Sequence, residues 1–318
     1  MILISGSLAY DYIMDFPGYF RDHILPEKLH VLSVSFLINK MERNFGGTAG
    51  NIAYNLALLD EQPAILASAG NDFGEYERWL RAKGVELRAV NRVDGVPTAA
   101  AYIMTDKADN QITAFYPGAM QFSSQSTVHS SQLLKSVKLA IIAPGNVEDM
   151  KRLPALYRKH DVPYVYDPGQ AIPALSGKDL KKGIAGAKVF ISNDYELAMV
   201  LKKTGWGKAE VLKRVEVLVT TLGEKGSVIE WKMENGKWKM YRIPPAKPKN
   251  TSDPTGAGDA YRAGFIKGLL MGLPYDKVGK LASTVAVYTV EKYGTQTHWF
   301  SWKGLMQRYK ENYKERLV

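Results

Sequence analysis

Short apolar runs recur along the chain, and between them the apolar positions spread out to helical intervals. The runs Ile2–Ser5, Ala64–Ala69, Leu139–Ala143, Tyr164–Tyr166, Lys188–Ile191 and Val217–Thr221 each end in a polar or glycine-containing break, and a helix-like stretch follows. Unbroken apolar runs of this length suit strands buried on both faces. Their alternation with helices predicts the α/β class, a mostly parallel central sheet flanked by helices. In such sheets ligands lie beyond the carboxyl ends of the strands, so motifs directly after strands carry most weight.

Two segments break the alternation. Residues 12–45 contain Phe16-Pro17-Gly18 and then Val31–Ile38, which reads as a strand. On it Leu32, Val34, Phe36 and Ile38 would share one face, because side chains alternate along a strand. Residues 98–116 read as a hairpin: Thr98–Thr105, a polar turn at Asp106–Asn110, then Gln111–Tyr116. Both segments suit a small β lid on a single domain spanning residues 1–318. The wholly apolar face of Val31–Ile38 must be covered, either by packing on the lid hairpin or the main domain or by an isologous partner, and a homodimer through the lid is the expectation. Asn235-Gly236 between alternating runs signals one more hairpin, with Trp231 and Trp238 on a half-exposed sheet edge.

Composition narrows the class further. The 318 residues are 46% hydrophobic and 23% charged, ordinary globular usage, and no apolar run approaches bilayer-spanning length. Met1–Ile4 lacks a basic leader and is soon followed by Asp11 and Asp15, so it reads as a first core strand. With no cysteine, disulfides, thiolate zinc sites and cysteine nucleophiles are excluded, and a reducing compartment, the cytoplasm, is expected. The net charge of +10 is scattered, with local density at Lys178–Lys182, Lys202-Lys203 and the last turns. No basic stripe is interleaved with aromatics, so neither specific nucleic-acid binding nor a membrane partner is expected. His23, His30, His129, His160 and His298 show no metal spacing and no triad, and read as structural or surface residues.

The richest chemistry lies in Asp253-Pro254-Thr255-Gly256-Ala257-Gly258-Asp259, which runs from a loop into an apolar helix. Ser252 or Thr255 is placed to cap that helix, and the two glycines leave backbone N–H groups open to an anion. Asp259 would then stand in the first turn beside a bound anion. That is an awkward place for a carboxylate unless it accepts a proton from an attacking hydroxyl. The segment contains neither a Walker A loop nor the dinucleotide fingerprint.

This segment resembles the C-terminal signature of ribokinase-like (PfkB) kinases, D-T-x-G-A-G-D. Gly46-Gly47-Thr48-Ala49-Gly50-Asn51 resembles the family's N-terminal signature, Asn193-Asp194-Tyr195-Glu196 its N-x-x-E, and Thr220–Gly226 its nucleotide loop. The four occur in the family's order. Ser5–Asp11, Leu25–His30, Phe115–Met120 and Gly294-Thr295-Gln296 are similar to bacterial adenosine kinases of the mycobacterial type.

The resemblance implies a ribokinase-like fold and transfer of the γ-phosphoryl of ATP to the 5′-hydroxyl of adenosine, with another nucleoside or a sugar as the alternative acceptor. A non-catalytic nucleoside-binding regulator is a third reading, and the intact Asp259 speaks against it. Asp259 would be the general base, and Gly256, Ala257 and Gly258 the anion hole. Asp11 and Asn51 would grip the ribose hydroxyls, with Ser7 and Gly47 also in the substrate site; Tyr102 and Phe115 would enclose the purine, and Gln170 would contact it. Thr221, Gly223 and Gly226 would line the ATP site with Asn193. Asn193 and Glu196 would orient Mg²⁺ through water, and the same spacing also makes a helix capping box. Asp253 and Thr255 match a loop that binds K⁺ in family members. Where the adenosine kinases carry Ser-Gln-Gln, this chain has Gly169-Gln170-Ala171, which weakens the readout of the base.

Overall fold

The computed structural model describes residues 1–108, 110–123, 131–233 and 235–318. Asp109 of the polar turn and His129 lie outside the described residues. Three strands, β1 (Ile2–Ser5), β2 (Ala9–Asp15) and β3 (Lys40–Gly46), precede the helix α1 (Thr48–Leu58). Then come β4 (Pro63–Ala69), α2 (Gly74–Ala82), β5 (Val90–Arg92) and the hairpin of β6 (Ala99–Thr105) and β7 (Gln111–Tyr116). β8 (Leu139–Ile142), β9 (Tyr164–Tyr166), β10 (Val189–Asn193) and β11 (Val217–Thr221) alternate with helices, and β12 (Ser227–Lys232) and β13 (Trp238–Ile243) end the strand series.

The larger sheet has nine strands in the order β13-β12-β11-β10-β9-β8-β1-β4-β5. From β11 to β5 every pairing is parallel, and β12 and β13 extend one edge as an antiparallel hairpin. All seven residues of β4 and all four of β1 are buried, as expected of strands covered on both faces. One core packs Ile4, Ile65 and Val219 against α1 and the helices Ala257–Leu270 and Tyr275–Val290. The other packs Leu3, Tyr166 and Phe190 beneath the helices on the opposite face. The expected α/β sheet is the one found.

The smaller sheet has the order β3-β2-β6-β7. β6 and β7 lie in the second segment that broke the alternation and β3 essentially in the first, while β2 begins at Ala9, ahead of it; Val31–Ile38 is not one of the strands. Pro26–Val31 is a 3₁₀ helix, and residues 32–38 have no regular structure. β3 instead pairs with β2 without interruption from Ala9↔Gly46 to Asp15↔Lys40, which takes up that edge of β2. The preceding segment is held by packing. Phe36 lies 5.0 Å from the ring of Phe16, 5.2 Å from Phe20 and 5.8 Å from His23. No helix among the described residues is long and apolar enough to cross a membrane.

β1 runs directly into β2, and β3 returns to α1 through Gly47, so the small sheet hangs over the carboxyl end of the large one. Gly47 has a φ of 83°, and a Cβ there would lie 2.6 Å from the Ser7 carbonyl oxygen. Only glycine makes that turn without strain.

Candidate active site

The helix Ala257–Leu270 begins at Gly256, whose φ of 78° is left-handed. A Cβ there would stand 2.9 Å from Thr295 Cγ2, which closes the position to other residues. No side chain among the described residues caps this helix, so neither Ser252 nor Thr255 has the capping role expected of them. Asp253 instead braces the loop, accepting the Thr255 N–H at 2.9 Å and the Gly294 N–H at 3.1 Å. Of the three expected anion-hole donors, the Ala257 N–H turns back to the Pro254 carbonyl at 3.1 Å. Gly256 and Gly258 remain the open ones, at the positive end of the helix dipole.

Asp259 follows in the first turn. The Asn51 Nδ2 on α1 donates to its Oδ2 at 2.9 Å, and the Asn51 Oδ1 accepts from Gln296 Nε2 at 3.0 Å. The amide is therefore fixed with its donor toward the carboxylate. Burial pushes the Asp259 carboxyl up to about 6, against the opposing pull of Arg262 and the Asn51 hydrogen bond. Asp11, on β2 opposite Asn44 and Ala101, is pushed up to about 7 by burial and by the charges of Asp259 and Asp253. A carboxyl poised near neutrality is suited to taking a proton.

Three cavities meet here. The first, of about 570 Å³, lies between the small sheet and the large one, with Ser7, Asp11, Gly47, Asn51, Phe115 and Gln170 on its walls. Ser7 is fixed to the start of α1, its Oγ accepting the Thr48 N–H at 3.0 Å. Gln170 stands on a short 3₁₀ segment pinned by Lys203, whose Nζ donates to the carbonyls of Ile172, Pro173 and Leu175, each at 2.8 Å. Tyr102 does not reach this cavity. Its neighbours Ala101 and Ile103 face inward, so strand alternation turns Tyr102 to the outer face, where it stacks on Tyr12 at 5.0 Å. Phe115, opposite Ala101 on β7, does face inward.

The second cavity, of about 280 Å³, lies on the far side of the helix start and is lined by Thr221, Gly223, Gly226, Gly258, Ala286 and Val287. The third, of about 240 Å³, joins the two and includes Asn193, Glu196, Gly256, Gly258 and Asp259. Asp259 thus stands where a group from one cavity meets a group from the other.

Asn193 and Glu196 form the capping box that their spacing allows, with the Asn193 Oδ1 accepting the Glu196 N–H at 2.7 Å and the Glu196 Oε2 accepting the Asn193 N–H at 2.8 Å. Glu196 Oε1 has no hydrogen-bond partner among the described residues, the residue lines the joining cavity, and burial raises its carboxyl pKa. No cluster of three or more metal-ligating side chains occurs among the described residues. This donor set fits Mg²⁺, which keeps most of its waters and takes few protein oxygens, better than a metal that needs a protein cage.

Two residues here escaped the sequence reading. Arg262 and Asp167 form a buried pair in the joining cavity, with Arg262 Nη2 on Asp167 Oδ1 at 2.8 Å and Nε on Oδ2. The available signal was spacing, since Arg262 lies three residues after Asp259 on one helix and so shares its face. His298 is structural as expected, buried against Asn55 with its Nε2 2.8 Å from Asn55 Oδ1.

Known proteins match both the sequence and the fold. The family model for pfkB family carbohydrate kinases matches residues 10–301. A nucleoside kinase of Methanothermobacter thermautotrophicus is 30% identical over 302 residues, covering 93% of this chain and 91% of that protein. The nucleoside kinase of Burkholderia thailandensis in complex with inosine superposes with a TM-score of 0.88 at 36% identity, covering 99% of each chain. Its ligand-free form gives 0.81 at 38% identity, covering 97% of this chain and 100% of the other.

Proposed function

Because this chain belongs to the pfkB family, ATP-dependent phosphotransferases that act on a hydroxyl group, we propose that its acceptor is the 5′-hydroxyl of a nucleoside, with adenosine as the leading substrate. One observation carries the reading. Asp259, held by Asn51 beside an open helix N-terminus, stands at the join of a nucleoside-sized cavity and a smaller one. Relatives named nucleoside kinases, and a similar structure that holds inosine, support a nucleoside over a bare sugar.

In this account Asp11 accepts hydrogen bonds from the ribose hydroxyls, and Asn51 positions Asp259 and the acceptor. Asp259 takes the proton of the 5′-hydroxyl as that oxygen attacks the γ-phosphorus, and ADP leaves. The N–H groups of Gly256 and Gly258 meet the negative charge on the transferring group. Asn193 and Glu196 would hold Mg²⁺ through water, and the ion would neutralise charge on the phosphates. K⁺ would sit beside the loop that Asp253 braces, held mainly by backbone oxygens. ATP as donor implies the cytoplasm.

The base end of the larger cavity favours a second reading within the class. Gln170 is flanked there by Ala171 and Ala174, which offer the base no side-chain hydrogen bond. A site with few polar groups rejects few bases, because discrimination grows with the polar groups left unpaired by a wrong substrate. The enzyme is then a broad nucleoside kinase that accepts adenosine among others. We also infer a homodimer through the outer face of the lid, where Met41, Tyr102, Ile112 and Tyr116 are 59%, 42%, 44% and 44% exposed.

The test is ADP release over a panel of purine nucleosides, pyrimidine nucleosides and free sugars. The reading expects kcat/KM for adenosine at least tenfold above that for ribose, about 1.4 kcal/mol. Equal or better use of ribose, fructose or another free sugar would reject it.

A further inference from the structure

Arg262 acts on the Asp259 carboxyl by its charge, and it also lines the joining cavity. Its side chain is 9% exposed and that of Asp167 is 1% exposed. Taking two such charges out of water costs about as much as their attraction returns, so the pair is a poor device for stability alone. Asp167 engages the guanidinium through Nε and Nη2 only. That fork fixes the plane of the group and leaves Nη1, with its two N–H donors, without a hydrogen-bond partner among the described residues. Nη1 is not sealed in the core either, since it is absent from the fully buried polar atoms that lack a partner. It lies against the anion hole: a Cβ built on Gly258 would stand 2.9 Å from it. A fixed cation therefore presents free donors beside the open N–H of Gly258 and one helical turn from Asp259.

We propose that Arg262 is a further catalytic residue, with Nη1 donating to the phosphoryl group as it passes from nucleotide to acceptor. The proposal rests on the kinase reading above. In the step, the bond from the γ-phosphorus to the bridging oxygen breaks and its electron pair leaves with ADP. The acceptor oxygen bonds to phosphorus and its proton goes to Asp259. Charge spreads over the three equatorial oxygens of the group in flight, where a preorganised guanidinium acts most strongly. Asp167 is then a positioning residue, holding the fork so that Nη1 needs no rearrangement.

The experiment separates this role from two lesser ones, a counter-ion for Asp167 and a charge that only holds the Asp259 carboxyl down. It uses the full-length wild type with ATP and adenosine, Arg262→Lys, Arg262→Gln and the double variant Arg262→Gln, Asp167→Asn. Lysine can still neutralise Asp167 but cannot hold it and reach the cavity at once. The proposal expects Arg262→Lys to lower kcat by about 10²–10³-fold, the scale of one lost oxyanion donor, with the adenosine KM within about threefold. Inhibition by ADP with aluminium fluoride, a mimic of the group in flight, should weaken to a similar degree while ADP alone binds as before. The double variant, which restores a neutral buried pair, should stay as slow as Arg262→Gln.

Recovery of the double variant to within about tenfold of wild type would reduce Arg262 to a counter-ion for Asp167. A slow Arg262→Lys that regains its rate as pH rises would mean that Arg262 acts only by holding the Asp259 carboxyl down, and would overturn the proposal. So would an Arg262→Lys that keeps more than a third of wild-type turnover. A wild type inert on every nucleoside and sugar defeats the kinase reading itself and this proposal with it.

Discussion

At the scale of single residues the account turns on two carboxyls. Asp259→Asn is nearly isosteric, keeps a partner for Asn51, and removes only the proton acceptor. It should lower kcat by about 10²–10⁴-fold while adenosine and ADP still bind, as steady-state kinetics and calorimetry would show. The Asp11 carboxyl, raised to about 7 by burial, makes a second prediction. Its folded value exceeds its unfolded one, so the folded state keeps a proton that the unfolded chain has released. Stability from this group is full below about pH 4 and is lost as pH rises through about 7. Asp11→Asn should therefore raise Tm at pH 8, leave it unchanged near pH 4, and weaken nucleoside binding at both. A variant less stable than wild type at pH 8 would contradict the assignment. Asp259, Asn51 and Gly256 were legible because each sits inside a contiguous motif. Arg262 was not, because its partner Asp167 lies 95 residues away and only the fold brings them together.

At the scale of elements, the large sheet was legible because its strands are apolar runs with sharp ends. The lid was legible only in part. The hairpin β6–β7 shows itself by alternation around a polar turn. β3, Lys40–Gly46, carries lysine, glutamate, arginine and asparagine on a sheet edge and gives no apolar signal. Val31–Ile38 gives that signal without being a strand, since Phe36 is drawn into an aromatic cluster. Tyr102 was misplaced by one residue of register, which on a strand is a whole face. Phe115 keeps the inward position, and Phe115→Ala should cost adenosine binding about 1–3 kcal/mol, the scale of base–aromatic stacking. Turnover on ribose, where present, should hardly change; equal losses on both would make Phe115 a packing residue.

At the scale of the whole molecule, the four-stranded sheet leaves an apolar outer face whose exposure a second copy would remove. Tyr102→Asp with Ile112→Lys lies on that face and away from the cavity. By light scattering the wild type should be a dimer at micromolar concentration and the double variant a monomer. A monomeric wild type, or a dimeric variant, removes the lid as the interface. Phosphoryl transfer between the two cavities can be followed by one labelling experiment. ATP carrying a labelled γ-phosphoryl is incubated with adenosine and the products are separated. The account predicts label in 5′-AMP, formed by the wild type and nearly absent with Asp259→Asn. Label found only in inorganic phosphate, or 5′-AMP formed equally well by the variant, would contradict it.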